Sequence, residues 1–292
     1  MRQAVRSLAV LISLVASAFA VVPSAAAAGT SVTVTNGNAP GWIRFDATGN
    51  SVDAHDGEIK EFGGRYYLYG TSYGCGYVRM HGYNGDTRPA TPFCGFVSYS
   101  SDDLRHWSYD GPLFDPATTS PTNWQQICNS ATLSCYRPHV LYDYASKRYV
   151  LWVNTYDVRS GVQHGYHVLT SASPTGPFTE AADATGQGAL PTLAFPTGGD
   201  FDLFQDNDAA HTGYIAYTVR QDPRLFGYEL VVERLAPGYL TGTGIYNEVG
   251  TRRTESPSLF KRGTTYYLPT IFLDCVIRTS QETETSSASN IF

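Results

Sequence analysis

A strand–turn–strand unit recurs four times along the 292-residue chain and limits the folds that the chain can adopt. Each unit joins an apolar strand to an aromatic strand through a turn typical of a hairpin. The four units are EIKEFGGRYYLYGTS (58–72), HVLYDYASKRYVLWVNT (139–155), DLFQDNDAAHTGYIAYT (202–218) and SLFKRGTTYYLPT (258–270). Further strand-like segments follow the first three units. Repeats of roughly 50 to 70 residues with about four strands each indicate the blades of a β-propeller.

The rest of the composition favours the same all-β class. No long stretch keeps the 3.6-residue apolar period of an amphipathic helix. The 21 tyrosines and 28 glycines suit strands and turns. The alternative is a β-sandwich in which the similarity between the units is accidental.

Acidic residues stand just before the first strand of three of the units. Asp56 and Asp200 each precede by three residues the first large apolar residue of their strand, and Glu255 precedes its own by four. The second unit has Arg137 and His139 in this region instead. Because the first strand of each blade lines the channel of a propeller, these side chains should meet at one mouth.

Three carboxyl groups at one mouth would raise each other's proton affinity. Glycoside hydrolysis needs such a set, because one group must stay protonated to donate to the leaving oxygen while another is ionised and activates water. Any one of these acids alone is better explained by the frequency of Asp and Glu at turns. Their recurrence at corresponding positions is what favours catalysis.

At these residues the sequence resembles glycoside hydrolase family 43, a family of five-bladed β-propellers. The likeness lies in HDGEI followed by YYLYGTS, in GDFDLFQDND and in ESPSLFKRGTTYYL. It implies that Asp56 is the general base, that Asp200 tunes the pKa of the acid, and that Glu255 is the general acid. It also implies an inverting mechanism with base and acid carboxyls about 6.5–9.5 Å apart. Since about four blades are recognisable, we expect an incomplete five-bladed ring.

The expected substrate is a plant side-chain polysaccharide. RFDATGNSVDAHDGEI, and YRPHV followed by YVLWVN, resemble the exo-β-1,3-galactanase branch of the family, although that branch has small residues where this chain keeps Asp56. We therefore expect a glycosidase acting on arabinogalactan, galactan or arabinan. The alternative is a non-catalytic propeller that binds carbohydrate. A fructosidase is disfavoured, because the WMND-type motif of that class is absent.

Four residues near the strand entrances are predicted to contact substrate: His55, Glu58, Arg137 and His139. For the histidines the alternative is a hydrogen-bonded role in the scaffold, and for Arg137 it is an ion pair across the channel. No cofactor or metal site is predicted. The segment DNDAAHTG (206–213) resembles a calcium loop but lacks the closing glutamate of an EF-hand, so a hairpin turn is expected.

The first 28 residues predict a secretory signal peptide. Arg2 and Arg6 precede an apolar run that ends in an Ala-rich stretch. A membrane anchor is disfavoured, because the run is shorter than the roughly 20 residues that a span needs. We expect a secreted, extracellular monomer, in which Cys75 pairs with Cys94 and Cys128 with Cys135, judged by proximity alone. The net charge of −6 argues against nucleic acid as a partner.

The resemblance ends near Leu268, which gives a propeller domain over 29–268 and a polar tail over 269–292. Pro269 interrupts an expected aromatic strand, and the tail is rich in Ser, Thr and Glu. The tail is therefore predicted to be unstructured. Our interpretation is that the chain is truncated or out of frame after about residue 268, with a divergent last blade as the alternative.

Overall fold

The computed structural model describes residues 45–50, 52–72, 95–114, 133–157, 162–181, 190–219, 229–249, 254–272 and 283–288. Within these ranges the regular elements are all β-strands, paired antiparallel in four sheets of four strands. No helix long and apolar enough to cross a membrane occurs in them. The predicted signal peptide and four of the five cysteines lie outside the described residues. Cys135 is disulfide-bonded to a partner that also lies outside them, so both pairings stay predictions.

The first two sheets are simple meanders in chain order. Sheet 1 consists of β1 (Ile59–Phe62), β2 (Arg65–Ser72), β3 (Gly95–Ser101) and β4 (Ser108–Pro112). Sheet 2 consists of β5 (Leu133–Asp143), β6 (Arg148–Asp157), β7 (Val162–Ser171) and β8 (Thr179–Glu180).

Sheet 3 repeats the meander and sheet 4 varies it. Sheet 3 consists of β9 (Phe201–Gln205), β10 (Gly213–Val219), β11 (Glu229–Leu235) and β12 (Gly242–Glu248). In sheet 4, β13 (Thr254–Glu255) and β14 (Phe260–Arg262) both pair with one side of β15 (Thr265–Phe272), while β16 (Thr283–Ala288) pairs with its other side. Thus β13 and β14 form one interrupted innermost strand.

The hydrophobic core lies between successive sheets. Middle strands such as β3 and β10 are buried along their whole length, because both faces of their sheets are covered. The layer between sheets 2 and 3 includes the aromatic side chains Trp152, Tyr166, Phe201 and Tyr217. Each large apolar side chain buried in this way contributes about 1.5–3 kcal/mol. The predicted all-β fold of propeller blades is confirmed, and the four repeated units are the first two strands of the four sheets.

The prediction of an unstructured tail is wrong for the residues that the structure describes. β15 runs past Leu268 to Phe272, and the polar segment Thr283–Ala288 pairs with it as β16. Pro269 is tolerated because its carbonyl accepts from Ser258 N at 3.0 Å, so the missing N–H faces the break between β13 and β14. A polar composition predicts a poor core, but backbone pairing with an open strand edge needs no apolar side chain.

Candidate active site

Side chains from three sheets meet at the carboxylate of Asp200. Arg137 Nη2 donates to Asp200 Oδ2 at 2.9 Å and to Ser256 Oγ at 2.8 Å. Ser256 donates to the same Asp200 oxygen from its backbone N at 3.2 Å and from Oγ at 2.9 Å. Asp200 thus accepts three hydrogen bonds on one oxygen, beside Glu255, the neighbour of Ser256. These residues mark the predicted mouth.

In three of the sheets the innermost strand has a one-residue bulge next to these side chains. The register of the innermost strand shifts by one residue in sheets 1, 2 and 4. Near each shift one non-glycine residue has a left-handed backbone: Asp56 (φ 59), Arg137 (φ 56) and Ser256 (φ 53). Such conformations cost of order 1–3 kcal/mol each and cluster at functional sites, and a bulge re-aims side chains.

The bulge in sheet 1 depends on a glycine. A Cβ at Gly57 would lie 1.9 Å from the carbonyl oxygen of Tyr69, so no other residue fits there unless the backbone moves. Gly57 therefore fixes the path of the backbone at Asp56, the residue before it.

Glu255 has the electrostatic environment of a general acid. It is half-buried at the end of β13. Burial and then the negative charge of Asp200 raise the pKa of its carboxyl, and the opposing effect of Arg137 is smaller. Glu255 thus keeps its proton to higher pH than an ordinary glutamate.

Asp56 and His55 are exposed at the start of sheet 1, where His55 N and O bond the backbone of Thr71. His55 Nε2 lies 3.0 Å from Asp53 Oδ1, and Asp53 Oδ2 accepts from Ser72 Oγ at 2.7 Å. Asp53 therefore orients the His55 ring next to the proposed base. Both predicted site residues remain accessible to a ligand.

Directly below this mouth lies a buried ionic cluster formed by Glu58, Lys60, His139 and Asp202. The Glu58 carboxylate accepts from Val140 N and lies 2.8 Å from Lys60 Nζ. His139 Nδ1 lies 2.9 Å from Asp202 Oδ1, and Asp202 Oδ2 accepts from Leu259 N at 2.6 Å. The cluster therefore joins the innermost strands of all four sheets.

The charges in this buried cluster balance. Although burial opposes the charged forms, Glu58 and Asp202 raise the pKa of both His139 and Lys60. Burial likewise works to raise the pKa of Asp202, but His139, Lys60 and Leu259 N outweigh it and lower that pKa. Two carboxylates thus face two cations.

Glu58, His139 and Asp202 offer ligand atoms within 4.8 Å of one another, a spacing that suits a metal ion. The Lys60 ammonium, 2.8 Å from Glu58, already supplies positive charge there. A metal would have to displace it, so these residues fit an internal salt-bridge cluster better than a metal centre.

The structure separates the seven residues singled out from the sequence by depth. Arg137, Asp200 and Glu255 lie together at the mouth. His55 and Asp56 are exposed at the start of sheet 1, as a position at the same mouth requires. Glu58 and His139, predicted to contact substrate, have side chains only 8% and 5% exposed and contact protein groups instead. The sequence reasoning missed Ser256, Lys60 and Asp202. Residues two apart share a face of a strand, so Asp202 was recognisable as the inward partner of Asp200.

A family model matches this site and its surroundings. The model described as "Glycosyl hydrolases family 43" matches residues 49–289, beyond the point near Leu268 where the sequence reasoning ended the resemblance. The four sheets correspond to part of the five-bladed β-propeller of that family. Among curated proteins none matches the sequence.

Similar solved structures come from one fungus and two bacteria. An exo-β-1,3-galactanase from Phanerochaete chrysosporium with β-1,3-galactotriose is 21% identical at a TM-score of 0.62, with 85% of this chain and 50% of that chain covered. The exo-β-1,3-galactanase from Clostridium thermocellum is 21% identical at 0.59, with 85% and 48% covered. A putative exo-β-1,3-galactanase from Bifidobacterium bifidum is 25% identical at 0.58, with 85% and 71% covered. The chain thus spans about half the length of the first two.

Proposed function

Because the chain belongs to glycosyl hydrolase family 43, we propose that it hydrolyses O-glycosidic bonds at the mouth that holds Asp56, Asp200 and Glu255. The observation that carries the proposal is the raised pKa of Glu255 beside an Asp200 carboxylate fixed by Arg137 and Ser256. The raised pKa lets Glu255 hold its proton to higher pH than an ordinary glutamate, as the general acid of glycoside hydrolysis requires.

In the proposed reaction Glu255 donates its proton to the glycosidic oxygen as the bond from that oxygen to the anomeric carbon breaks. A water attacks the anomeric carbon from the opposite face and gives a proton to Asp56. The sugar is released with inverted configuration, which requires the two carboxyls about 6.5–9.5 Å apart. Asp200 and Arg137 contact each other rather than the reacting atoms, and they set the pKa and position of Glu255.

We propose galactan or arabinogalactan as the substrate, with arabinan as the second candidate. The support is the similarity to galactanases, including one at 25% identity. An exposed carboxyl at a channel mouth also suits a polymer that cannot enter the protein. We propose further that the chain is exported and acts outside the cell, as its first 28 residues suggest. We also propose that it acts there as a monomer.

The test is sugar release from β-1,3-galactan, arabinogalactan and arabinan by the wild type and by Glu255→Gln. We expect the substitution to lower kcat by about 10²–10⁴-fold, the usual contribution of a general acid. Glu248→Gln, an exposed change on β12, is the matched control and should leave the rate unchanged.

Proton NMR of the first product would identify the mechanism, because inversion gives the opposite anomer from the substrate. Release that survives Glu255→Gln would remove Glu255 from its role. Binding of a polysaccharide with no release by either form would favour a non-catalytic carbohydrate-binding propeller.

A further inference from the structure

A second cavity lies far from the mouth, between sheets 2 and 3. Three chain turns line it: the β5–β6 turn, the β9–β10 turn and the β11–β12 connection. Its volume is about 310 Å³. Asp143 in the cavity follows Arg137 at the mouth by six positions of β5, a distance of about 20 Å along a strand. The proposed hydrolysis does not use this cavity.

An aromatic platform forms one wall of the cavity. The Tyr144 side chain is 54% exposed, although it is large and apolar. The His211 ring stacks on it with centroids 3.9 Å apart and planes 16° apart. The edge of the platform rests on Tyr142, at 4.9 Å and 82°. One face of Tyr144 is therefore supported, and much of the side chain remains open to solvent.

The platform is held rigid by contacts between the two sheets. His211 has a left-handed backbone (φ 49), and its N bonds Asp208 O at 3.0 Å. The Tyr239 hydroxyl donates to His211 O, and Gln205 Nε2 donates to Tyr142 O at 2.8 Å. A platform ordered in advance lowers the entropy cost of binding a ligand.

The other walls combine small and polar residues. Ala145, Ala210 and Gly238 leave space above the platform. The buried Asp143 carboxylate accepts from Ala145 N and Ser146 N at 3.1 and 3.2 Å and retains acceptor capacity. An acceptor of this kind in the wall favours a neutral ligand rich in hydroxyl groups over an anion.

From this geometry we infer that the cavity is a non-catalytic binding site for a pyranose unit of a neutral glycan. The C–H face of the sugar stacks on Tyr144, and its hydroxyls bond Asp143. The existence of this binding site is argued from its geometry alone. Only the claim that it binds the same polysaccharide as the mouth rests on the proposed function. Bound there, a polysaccharide chain would be held to the protein while another part of it reaches the mouth.

Affinity gel electrophoresis in β-1,3-galactan, arabinogalactan and arabinan tests this inference on the full chain. Arg137→Ala removes a predicted substrate contact at the mouth, and the part of the remaining retardation that depends on Tyr144 reports the cavity. In that background Tyr144→Ala should weaken binding about tenfold, because it removes the stacking ring. Tyr144→Phe should change it less than about twofold. Tyr109→Ala removes a similarly exposed ring from β4 and should have no effect.

If Tyr144→Ala lowers the melting temperature, Ala210→Lys serves instead, because it fills the cavity from an exposed turn. Retardation that is unchanged by both variants, or the absence of retardation on all three polysaccharides, would overturn the second site. Failure of the proposed function gives a different result, namely retardation that depends on Tyr144 with no sugar release. As a further check, Tyr144→Ala alone should leave turnover of a small soluble glycoside unchanged.

Discussion

The mouth of the channel and the ionic cluster beneath it are built from the same residue types at alternate positions of the same strands. Asp56 and Glu58 lie just before β1, Arg137 and His139 lie in β5, and Asp200 and Asp202 lie at the start of β9. At the mouth, the side chains of Arg137 and Asp200 are 18% and 31% exposed. In the buried cluster, Glu58 and His139 are 8% and 5% exposed.

The difference in depth gives these two layers, the mouth and the buried ionic cluster, different roles. Each carboxylate of the buried cluster accepts a backbone N–H from the next sheet, as Glu58 does from Val140 and Asp202 from Leu259. At the mouth the carboxylates face solvent, and their contacts adjust protonation instead. Residue type alone therefore does not separate a catalytic acid from a structural one; the neighbouring sheet does.

The largest expected effect is on stability, from Asp202→Asn. It removes one of the two carboxylates that face His139 and weakens the acceptor for Leu259 N, so that Glu58, 3.4 Å from His139 Nδ1, is left to balance both His139 and Lys60. Breaking such a pair costs about 3–5 kcal/mol. Urea unfolding would measure the change. Asp200→Asn is the matched control in the mouth and should cost about 1 kcal/mol or less, because a partly exposed pair is solvated. Equal losses would show that the layers do not differ.

Asp200→Asn should act on catalysis instead. Without the negative charge of Asp200 the pKa of Glu255 falls, so the acid gives up its proton at lower pH. We expect kcat to drop by about 10- to 100-fold, or about 1.4–2.7 kcal/mol of barrier. The alkaline limb of the kcat/KM profile should move to lower pH. A rate loss with the limb unmoved would mean that Asp200 does not tune Glu255.

Ser256→Ala should lower kcat by less than Asp200→Asn does. It removes the hydroxyl that joins Arg137 to Asp200, while the backbone N still donates to Asp200. The loss of one such hydrogen bond is worth about 1 kcal/mol, so kcat should fall about fivefold. Ser258→Ala, an exposed change two residues away, is the control. If both variants behave alike, the hydroxyl of Ser256 plays no part.

The sequence predicts the architecture and the three acidic residues because both depend on local patterns. The repeated hairpins predict the sheets, and the residues that precede their first strands predict Asp56, Asp200 and Glu255. The sequence does not predict depth, since Glu58 and His139 are buried by contacts with residues about 60 to 80 positions away, namely Val140 and Asp202. The bulges were also hidden, because a left-handed residue followed by proline, as at Ser256, leaves no strong local pattern.

The smallest effect expected is a pH dependence of stability with opposite signs in the two layers. For Glu255 the folded pKa lies above the unfolded value, so the folded state binds more protons between the two values and stability falls as pH rises through that window. For Asp202 the folded pKa is lowered, so its stabilising contribution is present above the unfolded pKa and is lost as pH falls through the folded one.

Unfolding in urea from about pH 3 to about pH 7 would separate these contributions. Relative to the wild type, Glu255→Gln should gain stability as pH rises from about 4 to about 7, because it removes the ionisation that burial opposes. Asp202→Asn should come closer to the wild type toward the acid end, where the carboxylate that it replaces becomes protonated. Parallel profiles for the two variants would contradict the assignment of Glu255 as the carboxyl kept protonated and of Asp202 as the one kept ionised.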